Sequence, residues 1–153
     1  AHAGQTRQRA GRFRAQNGAE MTSRRFPSRL GRRSRWVLLM WGVRRSNAYV
    51  DLGPAGGVLE ARFGWFRLRT PLANVAGWRE DGPWRWLTAI GVRRSLRGGD
   101  VTFAGHHTGG VRLDFAERVR WYLFHVPALY VTPADVPAFT AALTARGIRG
   151  APD

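Results

Sequence analysis

Apolar and polar residues alternate along several short stretches of the chain, which is the pattern of half-buried β-strands. In residues 58–63 (VLEARF), Leu, Ala and Phe fall on one face and Glu and Arg on the other. Residues 66–70 (FRLRT) alternate in the same way, and only Gly64-Trp65 lies between the two stretches. Glycine at the first position of a two-residue loop suits a type II′ turn, because it adopts positive φ without steric cost. The pattern predicts a β-hairpin.

Other short apolar stretches predict further strands, separated by Gly- and Pro-containing turns. Residues 36–43 (WVLLMWGV) are expected to form a strand or a buried segment. Residues 81–100 are rich in Gly and Arg and predict a long connection with a short helical turn near Trp86-Ile90. The remaining predicted strands are residues 48–52, 75–78, 100–105, 110–115, 118–124 and 127–132.

The end of the chain has a helical period instead. Asp135 is a suitable N-cap, and Pro137 falls in the first turn, where its missing N–H is harmless. Arg146-Gly147 is a favourable helix C-terminus. The apolar stripe of this predicted helix consists of Val136, Phe139, Ala142 and Leu143. About seven short strands followed by one helix indicate a small barrel, or a strongly bent sheet, with a helix plugging it.

Four stretches in this order resemble an uncharacterised actinobacterial protein family with a pleckstrin-homology-like (PH-like) domain. They are FRLRTPLANVAGW, GPW…AIG, TF…GGVRLDF and LYVTPADVPAFTAAL. The resemblance covers roughly residues 36–148. It implies a mainly β fold, a seven-stranded, partly open antiparallel barrel capped by a C-terminal α-helix. Residues 149–153, which follow this domain, are predicted to form a flexible tail. It implies no established activity, and a fold alone does not assign one.

Positive charge is concentrated before the predicted domain. The chain carries a net charge of +15, and residues 1–35 hold ten arginines and one acid. These residues lack a sustained apolar period, so they are predicted to form a disordered basic arm. Such an arm is attracted to nucleic acid, an anionic membrane or an acidic protein. Met21 would be a natural start of translation. Residues 1–20 are therefore interpreted as an upstream extension, an added segment or part of a fragment.

Residues 36–43 form the longest apolar run, and its eight residues compare with about 20 needed to span a bilayer. The run ends in Arg44-Arg45 and lacks a small-x-small cleavage site, which argues against a secretory signal. The chain contains no cysteine, so disulfides and thiolate metal sites are excluded. A cytoplasmic location, with peripheral membrane contact as an option, is therefore expected.

His106-His107 is the only histidine pair and the first candidate for chemistry. A metal site needs three or four convergent ligands, for which Asp100, Asp114 and His125 are the available additions. Adjacent residues on a strand point in opposite directions, and no metal-binding His spacing occurs. Residues 106–110 (HHTGG) are therefore interpreted as a hairpin tip, and no metal site is predicted.

No motif for an enzyme is evident. Ser46 and Ser95 lie in Arg-rich loops without a nucleophile elbow, and the few carboxylates form no catalytic pair. The Gly-rich stretches GPAGG and RGGD lack the Gly-Lys-Ser/Thr continuation of a phosphate loop. The sequence therefore predicts a non-enzymatic protein with no catalytic residues and no cofactor.

The segment 77–99 interleaves arginine and tryptophan, a combination that suits base stacking with phosphate contact, or an interfacial membrane patch. The alternative is that the tryptophans cover one barrel mouth while the arginines are solvated. Arg67 and Arg69 have the R-x-R spacing of PH-domain phosphate contacts, although exposed strand faces commonly carry charge. The candidate binding residues of the segment are Arg79, Trp84, Arg85, Trp86, Arg93, Arg94 and Arg97.

Three functions are compatible with these features. The preferred hypothesis is a PH-like binding module that engages a protein or an anionic membrane surface, with the arm supplying attraction. The alternative is nonspecific nucleic-acid binding through the Arg-rich arm, for which affinity falls steeply with salt. The third is a small-ligand-binding barrel, or an enzyme that uses His106, His107 or His125.

Overall fold

The alternating stretches build two β-sheets in the computed structural model, which describes residues 22–31, 35–81, 91–94, 99–105 and 109–151. The first sheet is antiparallel, with its four strands side by side in chain order. The predicted hairpin is confirmed, because Phe63 pairs with Phe66 across a two-residue turn in which Gly64 has a φ of +63°. The strands of this sheet are β1 (Arg24–Pro27), β2 (Ala48–Leu52), β3 (Val58–Phe63) and β4 (Phe66–Pro71).

The second sheet has the order β5-β8-β9-β7-β6. Its longest strands, β8 and β9, form a hairpin in which Trp121 pairs with Phe124. A register shift between Asp114 and Val119 divides this hairpin into two paired stretches. The strands of this sheet are β5 (Val75–Asp81), β6 (Gly91–Arg94), β7 (Val101–Ala104), β8 (Gly110–Trp121) and β9 (Phe124–Val131).

Within the described residues two α-helices accompany the sheets, α1 (Arg35–Met40) and α2 (Val136–Ala145). The predicted C-terminal helix is confirmed, because the Asp135 side chain accepts a hydrogen bond from the backbone N–H of Ala138. Its apolar stripe faces the core, where Phe139 and Leu143 are fully buried. Short 3₁₀ turns at Arg45–Asn47 and Leu72–Asn74 complete the described elements.

The apolar faces of the two sheets share one core. Phe63 of β3 stacks on Phe103 of β7, with ring centroids 6.1 Å apart. Phe26 of β1 meets Phe139 of α2 edge to face at 5.1 Å. Burial of these large rings on inward-facing positions is the main stabilising contribution that the alternation predicts.

The mainly β class is confirmed, but the number and connection of the strands differ from the prediction. In the described residues nine strands form two sheets that do not close into one barrel. Residues 36–43 do not form a strand: the backbone N–H of Val43 bonds back to Leu38, so the chain turns instead of extending. The hairpin predicted around residues 106–110 is also wrong, because β7 pairs with β6 and, in parallel, with β9. Strand β9 therefore separates β7 from β8.

The two ends of the predicted domain also differ from the described fold. Strand β1 lies within residues 1–35, where a disordered arm was expected; it is ordered because Phe26 is buried and the strand pairs with β2. At the other end, Arg149 and Ala151 exchange backbone hydrogen bonds with Trp78. The described fold therefore extends beyond residues 36–148 on both sides.

Candidate functional site

Three segments that meet at one end of the sheets carry all the exposed large hydrophobic residues among those whose side chains the structure describes. They are the end of α1 with the residue after it, the β3–β4 turn and the β8–β9 turn. The exposed fraction reaches 89% for Leu123, 80% for Met40 and 71% for Trp65. Their side chains, which we call the tip cluster, are Leu39, Met40, Trp41, Trp65, Tyr122, Leu123 and Phe124.

Close backbone packing holds the three segments together. A Cβ atom on Gly42 would lie 2.5 Å from the indole of Trp65, so the missing side chain lets the ring lie against the backbone. A Cβ on Gly64 would collide with the carbonyl oxygen of Trp41. The Tyr122 hydroxyl donates a hydrogen bond to the carbonyl of Trp65 at 3.2 Å. The exposed side chains are therefore presented by a connected support.

An aromatic layer lies beneath the exposed side chains. The ring of Phe66 contacts the rings of Trp41, Trp121 and Tyr122 at centroid distances of 5.6, 5.8 and 6.0 Å. Among the described residues, Nε1 of Trp121 is the one buried side-chain nitrogen or oxygen without a hydrogen-bond partner. Unpaired buried polar atoms are few in native proteins. The aromatic side chains at this end of the core are therefore held by contacts between their rings, and the Trp121 indole N–H forms no hydrogen bond to any described residue.

The first residue of the two-residue β8–β9 turn, Tyr122, is of an unusual type for its conformation. Tyr122 has a φ of 50°, a left-handed conformation that is an outlier for a bulky side chain. Two-residue hairpin turns normally place Gly, Asn or Asp there. The turn nevertheless holds because Tyr122 packs edge to face on Trp121 at 5.2 Å and hydrogen-bonds to Trp65. The neighbouring Leu123 is left almost fully exposed.

The surroundings of the tip cluster are strongly basic. The ranges 39–49, 61–69 and 118–126, which form this end, contain seven arginines, one histidine and no acidic residue. All seven arginines are exposed and lie within four residues of the tip cluster in sequence; we call four of them the basic rim. Among the described residues none of the four forms an ion pair. The basic rim consists of Arg44, Arg45, Arg62 and Arg120.

Acidic residues gather at the opposite end of the second sheet. Glu80, Asp81 and Asp135 line, together with Arg29, a cleft of about 500 Å³ beside the start of β8. Gly110 at this end and Trp121 beneath the tip cluster are the two ends of the 12-residue strand β8, which spans roughly 36 Å at the usual rise of a strand. Among the described residues, three carboxylates therefore cluster at one end of the second sheet and arginines cluster around the tip at the other.

The structure describes part of the Arg/Trp segment that the sequence singled out. Arg79 is exposed on β5, and the backbones of Arg93 and Arg94 lie in β6. Trp78 is half-buried and donates its indole N–H to the carbonyl of Ile148, so its ring packs against the end of the chain. The remaining candidates lie outside the described residues; they are Trp84, Arg85, Trp86 and Arg97.

The R-x-R pair lies on the outer face of β4 and is engaged by a carboxylate. Arg67 donates to Glu60 at 2.6 Å, and Arg69 approaches the same carboxylate at 3.8 Å. The hydrogen bond and the charge of Glu60 raise the pKa of Arg67 above its ordinary value. A phosphate at this position would compete with Glu60, and both arginines would have to exchange partners.

The residues considered for a metal or catalytic site are described in part. Asp100 and Asp114 both accept from Arg112, at 2.8 and 2.9 Å, and form a half-buried ion-pair network. His125 is exposed opposite Arg120 on β8, and His106 and His107 lie outside the described residues, as does Ser95. Within the described ranges no three His, Cys, Asp or Glu residues are placed to hold a metal ion.

The sequence interpretation missed the tip cluster because it read residues 118–124 as one strand. Neither Tyr122 nor Leu123 is a residue type that is common in turns, so local turn propensity does not predict a turn there. Two signals were nevertheless present. Four large apolar residues in succession, at 121–124, break the alternation. Trp65 lies in a predicted two-residue turn, where a side chain is expected to be exposed.

No protein-family model, no curated protein and no solved structure matches the chain. None of the helices in the described ranges has the length and apolar character required to cross a bilayer.

Proposed function

We propose that this protein is a non-enzymatic, PH-like binding module that docks on an anionic membrane surface. The tip cluster enters the interfacial region, and the basic rim contacts the lipid headgroups. The observation that carries the proposal is the confinement of the exposed large hydrophobic side chains that the structure describes to one arginine-rich end. Exposed apolar patches with a polar rim are characteristic of interaction sites.

The tip cluster offers substantial apolar transfer energy. Complete removal of a leucine-sized side chain from water is worth about 1.5–3 kcal/mol. Leu123 and Met40 are at least 80% exposed, so burial in the bilayer interface recovers most of that amount for each. Trp65, Trp41 and Tyr122 are amphipathic rings of the kind that are enriched at membrane–water interfaces.

Charge supports the same orientation. A basic residue near an anionic leaflet contributes about 1 kcal/mol, and this attraction falls off within about 8 Å at physiological ionic strength. The basic rim lies next to the tip cluster, whereas Glu80, Asp81 and Asp135 lie at the far end. The negative surface potential therefore attracts the apolar end and repels the acidic one.

The alternatives explain fewer of these features. A nucleic acid would neutralise the arginines but would provide no apolar environment for Leu123 and Met40. A protein partner would need a pocket complementary to each of the three segments, whereas a bilayer accepts apolar tips and cations without such shape complementarity. The Arg-rich arm remains the element through which nonspecific nucleic-acid binding would occur.

The proposal is tested by sedimentation of the full chain with vesicles of phosphatidylcholine containing 30% or no phosphatidylserine, a composition chosen to vary surface charge. The double variant Trp65→Ser/Leu123→Ser removes two largely exposed apolar side chains and leaves the charge unchanged. We expect it to bind anionic vesicles at least tenfold more weakly, since about 1.4 kcal/mol corresponds to a factor of ten.

Charge is tested with matched pairs of arginine variants. Arg62→Gln/Arg120→Gln changes the basic rim, and Arg79→Gln/Arg149→Gln removes the same charge from exposed positions elsewhere. We expect the first pair to lower vesicle affinity about tenfold or more and the second to have little effect. The arm is present in all variants, so differences report on the tip alone.

Three results would overturn the proposal. The first is equal vesicle binding by the wild type and the Trp65→Ser/Leu123→Ser variant. The second is a loss of affinity for a mixed-sequence DNA duplex, in the rim variant alone, as large as its loss for vesicles. The third is self-association of the wild type in sedimentation velocity that the tip variant abolishes, which would identify the tip cluster as a contact between two copies of the chain.

A further inference from the structure

A cavity of about 370 Å³ opens beside the tip cluster, between α1 and the segment that follows β1. This volume lies within the range of small-molecule pockets, about 300–1,000 Å³. Its lining divides into an apolar part and a cationic part. The lining residues are Leu30, Gly31, Leu38, Leu39, Val43, Arg44 and Arg45.

The apolar wall is fixed by the backbone on both sides. The N–H of Val43 bonds to the carbonyl of Leu38 at 2.9 Å, which brings two buried side chains to one wall. On the opposite side, the N–H of Gly31 donates to the carbonyl of Gly105 at 2.8 Å. Leu30 is consequently held, half-buried, against the core. The cavity is thus a built feature of the fold.

The cationic part comes from two consecutive arginines of the basic rim. Arg44 has an extended backbone and Arg45 begins the following 3₁₀ turn. Both are exposed, and neither guanidinium forms an ion pair with an acidic residue in the described ranges. Guanidinium groups bind phosphate in a bidentate manner. The pair therefore provides two positive charges next to an apolar cavity.

We propose that this cavity binds one phosphate-headed lipid, with its apolar chain along Leu30 and Leu39 and its phosphate on Arg44 and Arg45. A phosphomonoester carries a charge near −1.5 to −2 at neutral pH, as phosphorylated side chains do, which matches two guanidinium groups. The inference rests on the proposed function, because Leu39 belongs both to the cavity and to the tip cluster that would deliver the protein to its lipid.

The binding is measured by calorimetric titration of the full chain with dihexanoyl phosphatidic acid below its micelle concentration. Dihexanoyl phosphatidylcholine, which has a choline-capped phosphate, and inorganic phosphate, which has no chain, are the comparison ligands. We expect saturable binding of one molecule of the phosphatidic acid, at least tenfold tighter than either comparison ligand. Equal binding of inorganic phosphate would show that the apolar wall contributes nothing and would overturn the proposal.

Two variants localise the ligand. Arg44→Gln/Arg45→Gln removes the phosphate contacts, and Leu39→Trp fills the cavity from a half-exposed position that the core does not depend on. Each is expected to weaken binding of the soluble lipid at least tenfold. The matched control Arg62→Gln/Arg120→Gln removes the same charge outside the cavity and should leave this binding unchanged. An equal loss in the control would show nonspecific attraction and overturn the site.

The same variants separate this inference from the function it rests on. If Trp65→Ser/Leu123→Ser leaves vesicle binding intact while the soluble lipid still requires Arg44 and Arg45, membrane docking through the tips is wrong and the lipid cavity stands. If the tip variant loses vesicle binding but the soluble lipid does not bind, the docking surface stands and the cavity site is wrong.

Discussion

Asn74 connects the two sheets through its side-chain amide, and its removal is the sharpest test of how the fold holds together. Its Oδ1 accepts from the backbone N–H of Glu117 at 2.8 Å, and its Nδ2 donates to the Glu117 carbonyl at 2.9 Å. The same Nδ2 donates to the hydroxyl of Thr70 at 3.1 Å. One amide thus joins the end of β4 to the part of β8 where the register with β9 shifts.

The size of the effect of Asn74→Ala follows from the surroundings of each bond. The Glu117 backbone groups belong to an exposed residue, so water replaces the amide and each bond contributes about 0.5 kcal/mol. Thr70 is 3% exposed, and its hydroxyl loses a buried partner at a cost of about 1–2 kcal/mol. The sum is a loss of about 2–3 kcal/mol in the free energy of unfolding.

Urea denaturation followed by tryptophan fluorescence measures this loss. With a slope of about 2 kcal/mol per molar urea, the midpoint should fall by roughly 1–1.5 M. In the double-mutant cycle with Thr70→Val, the coupling energy should be about 0.5–1.5 kcal/mol. A midpoint shift below roughly 0.3 M, or no coupling between the two positions, would refute the view that this amide ties the sheets together.

Two further predictions concern the same fold. Gly64→Ala should destabilise the protein by about 2–4 kcal/mol, because the new Cβ would collide with the carbonyl of Trp41 and alanine is strained at positive φ. The control Gly56→Ala has the same kind of strain, at φ +75°, but no neighbour within reach, so it should cost only about 1–2 kcal/mol. Equal losses of stability in urea denaturation would show that the close packing at Gly64 is unimportant. Arg112→Met leaves two carboxylates of the half-buried network without their cation, so its unfolding temperature should fall by roughly 6–12 °C, from a loss of about 3 kcal/mol. An unchanged unfolding temperature would contradict an energetic role for that network.

The elements predicted best from the sequence are those whose local signals agree with their packing. The β3–β4 hairpin combines clean alternation with a glycine at the position that needs positive φ, and the C-terminal helix combines a cap with an apolar stripe. In both, neighbouring residues decide the backbone conformation, so a local pattern is sufficient.

The elements that were missed depend on partners distant in sequence. Strand β1 has one buried residue, Phe26, and becomes a strand because β2 and α2 lie beside it. The pairing of β7 with β9 places a strand between two neighbours in the chain, which no local pattern indicates. The candidate site was missed for a related reason, because the turn at Tyr122 is held by Trp65 and not by its own turn propensity.

The separation of charge along the molecule has a kinetic consequence. Long-range forces act before contact, so the opposed acidic and basic ends would align the protein while it approaches a charged surface. In the proposed docking, ionic strength would then act mainly on the association rate constant, which depends on the basic rim. The time that the protein remains bound would depend on the apolar side chains, which are insensitive to salt screening. Arrival and residence would be controlled by two different sets of side chains at the same end of one domain.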